Sequence, residues 1–564
     1  MRRPGRDASL RRLRGRVSQC DGAGARARRK GRVVANQSNV EVAHSEQERG
    51  RETPARTNLV RASPLFVLLA VVGASAENFV NPELWWQVLS GRQMLAAWQP
   101  RLHDVYSYTA YGRLMRDDEW LAEVVTTLWY DAAGVAGLLV MKLLVAGAAI
   151  VFLACAFAET GASARVQRLM LVFTALALAP NMQFRPQLFT FAILAFEMML
   201  LARETYRGPS PILWLMVPVF ALWANLHAGF VAGLGALGLF AVVAGVDEFR
   251  RSRTIRRGLV LCAVTLACAL ATLANPLGFQ VWGNVLSAMF DPVWPKAIVE
   301  WQPLLGMLAG DLRTAPANAL FDFFIPAGFF VALAVFEVLA PSFDDLALAV
   351  IAAVFIAAAF HMARFAPLAV IVVAVPLVRH AGVFSARRGA AKGEVERDSG
   401  FNPVVAVALL VALAWVGGFF TGRLRTKAGM RYPAGAVAFM KRHGLKGNIL
   451  SEFSWASYVM WHLGPQSRIF IDERAETLYP DQVLRDYVAF YSDRSGAERV
   501  LAEYPHQYVL VPPNSGGFQV VARNPNWKLI YRDNVAALFA LAGSPAAAEF
   551  PSPVKGTSPR VFFP

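Results

Sequence analysis

The sequence predicts a mainly α fold: a polytopic transmembrane helical bundle of about eleven spans, carrying a small C-terminal α/β domain outside the membrane. Three observations predict it. More than half of the residues, 55%, are apolar and the mean hydropathy is positive, a balance that excludes an ordinary soluble enzyme. Apolar runs of membrane-crossing length recur between short basic links. From about Tyr432 the pattern changes to short β-rich runs alternating with helical ones.

Residues 1–61, rich in Arg, Gly, Ala and Ser, cannot bury enough surface to offset their ordering entropy and are expected as a disordered basic cytoplasmic arm. The basic stretch is far longer than the leading region of a cleavable signal peptide. Residues 62–422 hold the spans, at 64–80, 135–157, 168–181, 187–203, 211–226, 229–246, 257–275, 319–339, 345–361, 365–379 and 403–421. The arm and the basic links near 164–168, 247–257 and 379–397 share one side if these spans alternate. The positive-inside rule makes that side cytoplasmic. The loops at 81–134, 181–187, 275–318 and 361–364 then face outward with everything after Gly422. The expected location is a bacterial inner membrane, with the N-terminus inside and the C-terminal domain periplasmic or extracellular.

Residues 432–541 read as the outer α/β domain. Its helical stretches are AGAVAFMKRHG, WASYVMWHL, DQVLRDYVAFY and GAERVLAEY, and its β-rich runs are NILSE, RIFID, QYVLVP, WKLIY and VAALFAL. Residues 542–564, rich in Pro, Ala and Ser, are expected as a loose tail. The net charge of +16 is concentrated in the arm and the links, where it sets topology, so nucleic acid is not an expected partner. Of the cysteines, Cys155, Cys262 and Cys268 lie in apolar spans and Cys20 in the arm, which leaves no disulfide framework or zinc site in the outer domain.

The chemistry concentrates in the first outer loop, 81–134, which gathers Glu83, Asp104, Asp117, Asp118, Glu119 and Glu123 with Arg92, Arg101, Arg113 and Arg116. A topology set from Lys and Arg placement alone also brings Arg185, Asn225, His227, Asn275, Glu300, His361 and Arg364 to the outer ends of their spans. A cavity walled by these helix ends holds an acid, a base and an anion clamp partly shielded from water. Capping or snorkelling is the commoner role for Asn225, Asn275 and Arg364. Lys142, Glu197 and Glu337 lie in spans but close enough to an end to snorkel, and stay outside the site.

Leu84, Val88, Gly91 and Leu95 recur at helical spacing, with Trp85, Trp86 and Trp98 at the flanks. That pattern predicts a helix lying in the membrane interface, its tryptophans at headgroup depth. Glu83 sits at its first turn, where the helix dipole favours the ionised form. Its simple role is a cap; its chemical role is a base toward a hydroxyl, or with Asp104 a ligand for a divalent cation. Capping also accounts for part of the Asp117–Glu119 cluster, which precedes the helical stretch WLAEVVTTLWY.

Taken in order, Glu83-Leu84-Trp85-Trp86, Asp104-Val105-Tyr106-Ser107-Tyr108-Thr109, Glu119-Trp120-Leu121-Ala122-Glu123, Arg185-Pro186-Gln187, Asn225-Leu226-His227, Asn275-Pro276 and Glu300-Trp301 resemble the polytopic GT-C-type membrane glycosyltransferases. The stretches 455–461 and 469–476 are similar to the outer domain of the same relatives, so the resemblance covers residues 64–540. It implies transfer of a sugar from a polyprenyl-phosphate-linked donor, embedded in the lipid bilayer, to an unidentified periplasmic envelope acceptor. On that resemblance Glu83 is the base, Asp104 orients the hydroxyl or shares a metal, and Arg185, His227 and Arg364 stabilise the departing lipid phosphate. Arg92, Asp118, Glu119, Asn225, Asn275, Glu300 and His361 stand as supporting residues. The one cofactor with a place is a divalent metal, Mg or Mn, on Glu83 and Asp104.

The chain departs from the family pattern at Glu83, where relatives carry Asp, and at Gln87 and Asp118, where they carry His. These departures motivate a second expectation, a non-catalytic membrane protein whose outer α/β domain binds an envelope partner through an exposed turn of Asp472, Glu473, Arg474 and Glu476. A third, a secondary transporter, fits the span count but lacks paired repeats and ranks lowest.

Overall fold

The computed structural model describes residues 79–290, 294, 298–314, 316–342, 344–392, 424–426 and 431–563. The expected arm, the expected span at 64–80 apart from its last two residues, and the expected span at 403–421 lie outside them. Each of the nine other expected spans falls mostly on a helix, in order Trp120–Glu159, Ala164–Leu178, Gln187–Tyr206, Met216–Leu226, Phe230–Ser252, Arg256–Ala271, Ile325–Leu339, Leu346–His361 and Ala366–Lys392. Five helices are long and apolar enough to cross a membrane, at Trp120–Glu159, Phe230–Ser252, Arg256–Ala274, Asp322–Leu339 and Ala363–Gly389, while Pro211–Leu226 and Leu346–His361 are shorter apolar ones. The chain is a multi-pass membrane protein, and the expected count of eleven is not reached among the described residues. The shortfall has local causes: Ala164–Leu178 ends after 15 residues, and Gln187–Tyr206 carries Glu197, Arg203 and Glu204.

Two helices run past their expected ends. Trp120–Glu159 contains a kink at Ala133 and Gly134, the latter at φ +58, a left-handed conformation that glycine adopts without a Cβ clash. The amphipathic stretch before the kink and the apolar span after it are therefore separate rods in one continuous element. The basic link at 379–397, expected as a loop, is helical as far as Lys392, because Ala- and Arg-rich sequence propagates the helix beyond its apolar part. The apolar half of that helix, from Ala369 to Val375, is the most enclosed stretch of the bundle and packs against Ile325–Leu339, Leu346–His361 and Ala164–Leu178.

The C-terminal domain is a six-stranded mixed sheet in the order β4-β3-β5-β7-β6-β8. Strand β3 (Asn448–Ser451) runs parallel to β4 (Arg468–Ile469) and to β5 (Tyr508–Val511). Strand β7 (Ala537–Leu541) runs antiparallel to β5 and to β6 (Trp527–Arg532), and β8 (Val554–Lys555) lies parallel to β6. Strands β3 to β7 are the five β-rich runs of the sequence, and their crossovers are helices such as Ala456–Leu463 and Asp481–Tyr491.

Residues 542–564, expected as a loose tail, are ordered over the described positions. They form the helix Pro545–Glu549, capped by Ser544, then β8, and then β9 (Phe562–Phe563). Strand β9 pairs with β2 (Leu424–Thr426), which pairs in turn with β1 (Phe79–Val80). Composition concealed this because two aromatics decide it: Phe563 is fully buried, with its ring 5.5 Å from Trp85 and 5.4 Å from Tyr130.

The helix Leu84–Ala97 also differs from expectation. Trp85 and Trp86 are buried in protein, Trp85 edge-on to Tyr432 at 4.9 Å and to Tyr458 at 5.6 Å, whereas Trp98 is 92% exposed. The helix is held between the bundle and the C-terminal domain, and two of its three tryptophans pack on protein. At Gly91 an added Cβ would stand 2.1 Å from Thr127 Oγ1, so glycine sets how closely the two helices approach.

A buried ion network fastens the first loop to the domain. Arg474 donates through Nη1 to Asp104 Oδ1 at 2.6 Å, and through Nε and Nη2 to Asp472 at 2.9 and 2.6 Å. Tyr479 donates to Asp472 Oδ2 at 2.8 Å. Asp104 also accepts the N–H groups of Tyr106 and Ser107, at 3.2 and 2.9 Å. Beside it the loop extends the sheet edge, Ile469 N–H to Tyr106 O at 2.9 Å and Tyr108 N–H to Ile469 O at 3.1 Å. The turn expected to expose Asp472 and Arg474 is thus buried. Arg474→Met leaves two buried carboxylates without their cation and is expected to cost about 3–5 kcal/mol. A clear fall in the thermal unfolding midpoint of the detergent-purified protein checks this; an unchanged midpoint would mean that the network does not hold the loop.

Candidate functional site

A cavity of about 750 Å³ opens where the helix ends meet the C-terminal domain. Its floor is apolar, with Val231, Gly235 and Leu239 on Phe230–Ser252, Val354 and Phe355 on Leu346–His361, and Leu368 beyond. Leu239 stands ten residues past Gly229, which at the helical rise is about 15 Å down the helix. The opposite wall is charged and comes from the loop 113–119 and from Glu473, Arg474 and Tyr479.

Glu83 enters this cavity from the start of the helix Leu84–Ala97. It makes no side-chain cap bond; its own backbone N–H goes to Asn81 Oδ1 at 2.9 Å, so Asn81 does the capping and the Glu83 carboxylate is left for other work. Arg185, placed by the turn that Pro186 ends, donates through Nε to Glu83 Oε2 at 3.0 Å and through Nη2 to Oε1, and its Nη1 reaches Glu300 Oε2 at 2.9 Å. Burial opposes the charge on Arg185, but Glu300 and Glu83 outweigh it and hold the guanidinium pKa well above its ordinary value. The donors of Arg185, a residue expected to clamp a phosphate, are divided between two carboxylates, Glu83 and Glu300.

His227 ends the helix Met216–Leu226. Its Nδ1 accepts the Gly229 N–H at 2.9 Å and lies 2.8 Å from the Thr190 hydroxyl, whose oxygen already accepts from Trp223 Nε1 at 2.8 Å. The Nδ1 atom being an acceptor, the network assigns the proton to Nε2, which faces Glu119 Oε1 at 3.4 Å. Burial, then Arg364 and Arg185, lower its pKa to about 3, so His227 is a neutral N–H donor. Arg364 lines the cavity with its guanidinium 4.8 Å above the Trp301 ring.

The loop before Trp120 supplies the acids. Asp117 Oδ1 accepts the Glu119 N–H at 2.8 Å, and burial raises its pKa to about 6. Burial and the neighbouring Asp117 raise Asp118 to about 7, and burial with Asp118 lifts Glu119 well above the ordinary range. This wall is therefore partly protonated near neutrality, able to donate to hydroxyls as well as accept from them.

Of the twelve residues assigned to the site from the sequence, Glu83, Asp118, Glu119, Arg185, His227, Glu300 and Arg364 share the cavity, with Arg113, Arg116 and Asp117 of the same loop beside them. The others do not. Asp104 is fully enclosed in the Arg474 network and stands outside the cavity lining, so it does not join Glu83. Arg92 pairs with Asp131 at 2.6 Å and lies over Tyr130 and Trp461. Asn225 accepts from Trp120 Nε1 at 2.8 Å and donates to Ala274 O, and Asn275 donates to Ala224 O at 2.7 Å, so both join helix ends. His361 is exposed, outside the lining.

A metal shared by Glu83 and Asp104 does not fit these residues, since each carboxylate already faces a guanidinium. Among the described residues no group of three or more His, Cys, Asp or Glu is arranged to hold an ion. Sequence reasoning placed Glu473 on an exposed turn and missed it as a cavity residue. Its signal was position: it follows β4, and ligands of parallel sheets gather beyond the carboxyl ends of strands.

No family model and no curated protein matches the chain. Solved structures do resemble it. One is the oligosaccharyltransferase of Archaeoglobus fulgidus with a tethered acceptor peptide, at 14% identity and TM-score 0.48, over 80% of this chain and 68% of that one. Another is the arabinofuranosyltransferase AftD from Mycobacteria, at 14% identity and TM-score 0.46, over 87% of this chain but 40% of that longer one. A third is ArnT from Cupriavidus metallidurans bound to undecaprenyl phosphate, at 12% identity and TM-score 0.46, over 86% of this chain and 98% of that one. At 12–14% identity and TM-scores under 0.5 the likeness goes no further than a general resemblance of fold.

The raised acids make stability depend on pH. A carboxyl whose pKa rises on folding contributes stability that is fully present below the ordinary carboxylate range and is lost as pH rises through its folded value, about 7 for Asp118. Asp118→Asn, which cannot ionise, is expected to raise the unfolding midpoint near pH 8 and to leave it nearly unchanged near pH 4. Equal effects at both pH values, measured by thermal unfolding, would contradict the assignment.

Proposed function

We propose that the chain is a membrane glycosyltransferase that moves a sugar from a polyprenyl-phosphate-linked donor to an acceptor hydroxyl at the periplasmic face of a bacterial inner membrane. The observation that carries this reading is the two-sided cavity, apolar along the helix Phe230–Ser252 and charged against the C-terminal domain, with Glu83 fixed in its polar half. A substrate with a hydrocarbon tail and a charged sugar headgroup matches both halves. A water-soluble activated sugar leaves the apolar half unfilled.

The reaction is a single displacement. Glu83 takes the proton of the acceptor hydroxyl, whose oxygen attacks the anomeric carbon while the bond from that carbon to the phosphate oxygen breaks. The electron pair leaves on the polyprenyl phosphate. Arg364 and the Nε2–H of His227 line the same cavity and receive the negative charge that grows there. Arg185, by holding Glu83 through two donors, sets the direction from which the proton is taken. Asp104 takes no part in the step; it anchors the loop.

The reading of the C-terminal domain as a free binding module loses part of the contact surface offered for it, because Asp472 and Arg474 are buried. The test uses the full chain in lipid discs with a panel of polyprenyl-phosphate sugars, with and without Mg²⁺ or Mn²⁺ and crude envelope acceptor, following released polyprenyl phosphate. Wild type is expected to consume one donor. Glu83→Gln is expected to lower turnover by about 10²- to 10⁴-fold with folding intact, and Arg364→Ala by roughly 10²-fold. No release from any donor under any of these conditions would overturn the proposal.

A further inference from the structure

The mechanism above leaves several cavity carboxyls unused, and Glu473 is the one that the C-terminal domain holds enclosed. Glu473 lines the cavity from the C-terminal domain. Its neighbours on both sides are immobilised: Asp472 and Arg474 are buried and joined by side-chain bonds, and the Arg474 N–H is tied to Asp472 Oδ1 at 2.9 Å. Just upstream, Ile469 and Phe470 are bonded to the first loop through Tyr106, Tyr108 and the Thr109 hydroxyl. Glu473 is thus presented by a rigid turn. Its Oε2 accepts the hydroxyl of Ser457, a fully buried residue. Its Oε1 is enclosed and has no hydrogen-bond partner among the described residues. Buried polar atoms are nearly always paired, so such an oxygen on a cavity wall marks where a ligand group belongs.

We propose that Glu473 contacts the substrate: it binds a second oxygen of the acceptor, beside the hydroxyl that Glu83 deprotonates, and selects a neutral or amine-bearing polyhydroxyl acceptor over an acidic one. The inference rests on the transfer reaction proposed above and names its acceptor class. Placement assigns Glu473 to the acceptor rather than the donor. The apolar floor suits the lipid, and Arg364 and His227 at the bundle side suit the phosphate, while Glu473 stands on the wall that the C-terminal domain supplies. Burial, then Asp472, hold its carboxyl well above the ordinary range, with the Glu83 charge adding to the effect, so it is able to donate as well as accept. Selectivity follows from the company it keeps. Seven carboxyls line the cavity, Glu83, Asp117, Asp118, Glu119, Glu300, Glu473 and Asp481, against five arginines, Arg113, Arg116, Arg185, Arg364 and Arg474, so hydroxyls and amines find acceptors there and a carboxylate meets more like charge than opposite charge.

The test compares wild type, Glu473→Gln and Glu473→Ala as full chains in lipid discs. It measures acceptor KM, kcat, and hydrolysis of the donor without acceptor, using methyl glucoside, methyl glucosaminide and methyl glucuronide as probes. Glu473→Ala is expected to raise the KM for the neutral and amino glycosides about tenfold and to leave donor hydrolysis unchanged. Glu473→Gln, whose amide donates and accepts from the same place, is expected to stay near wild type. Unchanged KM in both variants, parallel loss of transfer and hydrolysis, or equal use of the glucuronide overturns the inference. If wild type consumes no donor, the transfer reading has failed by itself, and thermal shifts with the same three glycosides decide the binding site. A shift in wild type that Glu473→Ala lacks upholds the contact, and equal or absent shifts overturn it.

Discussion

The guanidinium of Arg474, shared between Asp104 and Asp472, is the interaction on which the arrangement of the site depends. It joins residues 370 positions apart in the chain, and both ends of the Asp104 bond are removed from water. Desolvating such ions is costly unless every remaining donor and acceptor is used, and here Tyr106, Ser107 and Tyr479 complete the set. One consequence is position. The loop that leads on to Asp118 and Glu119 and the turn that carries Glu473 are fixed against each other, so the polar wall of the cavity has a defined shape before any substrate arrives.

The charges inside the cavity divide into two kinds. Arg185 is committed to Glu83 and Glu300, so it serves the carboxylate it orients. Arg364 is set over Trp301, and His227 is kept neutral with its donor turned toward Glu119, which leaves the bundle side equipped to meet an anion. The raised acids of the loop before Trp120 supply hydroxyl partners as well as negative charge. The same burial that perturbs these groups makes them useful, since a hydrogen bond in a shielded cavity competes with little water.

The membrane enters through the floor. Gly235 and Leu239 face the cavity well along a helix that crosses an apolar layer, and the facing residues Val354 and Phe355 are apolar too. The charged wall and the apolar floor thus belong to one cavity. The tail residue Phe563 contributes from a distance: by packing against Trp85 it supports the helix whose first turn follows Glu83.

Much of the architecture was legible from the chain alone. Apolar runs predicted helices because their composition leaves no other way to satisfy the backbone in a bilayer, and β-rich runs predicted strands β3 to β7 because alternation and β-branching are local. Seven of the chosen polar residues, Glu83 and Arg185 among them, meet in the cavity because helix ends on one side of a bundle converge. Asp104, Asn225 and Asn275 have the same residue types and similar positions, yet they bond backbone or a buried arginine instead. Glu473 and Phe563 show the converse, a charged turn and a proline-rich tail drawn into the interior. By itself the sequence determined which of the described segments are apolar helices and which form the sheet, since these follow from composition and period. Only the tertiary structure decided which charge orients, which anchors and which remains for a substrate, because that depends on the group each one faces, and for Asp104 that group lies 370 residues away.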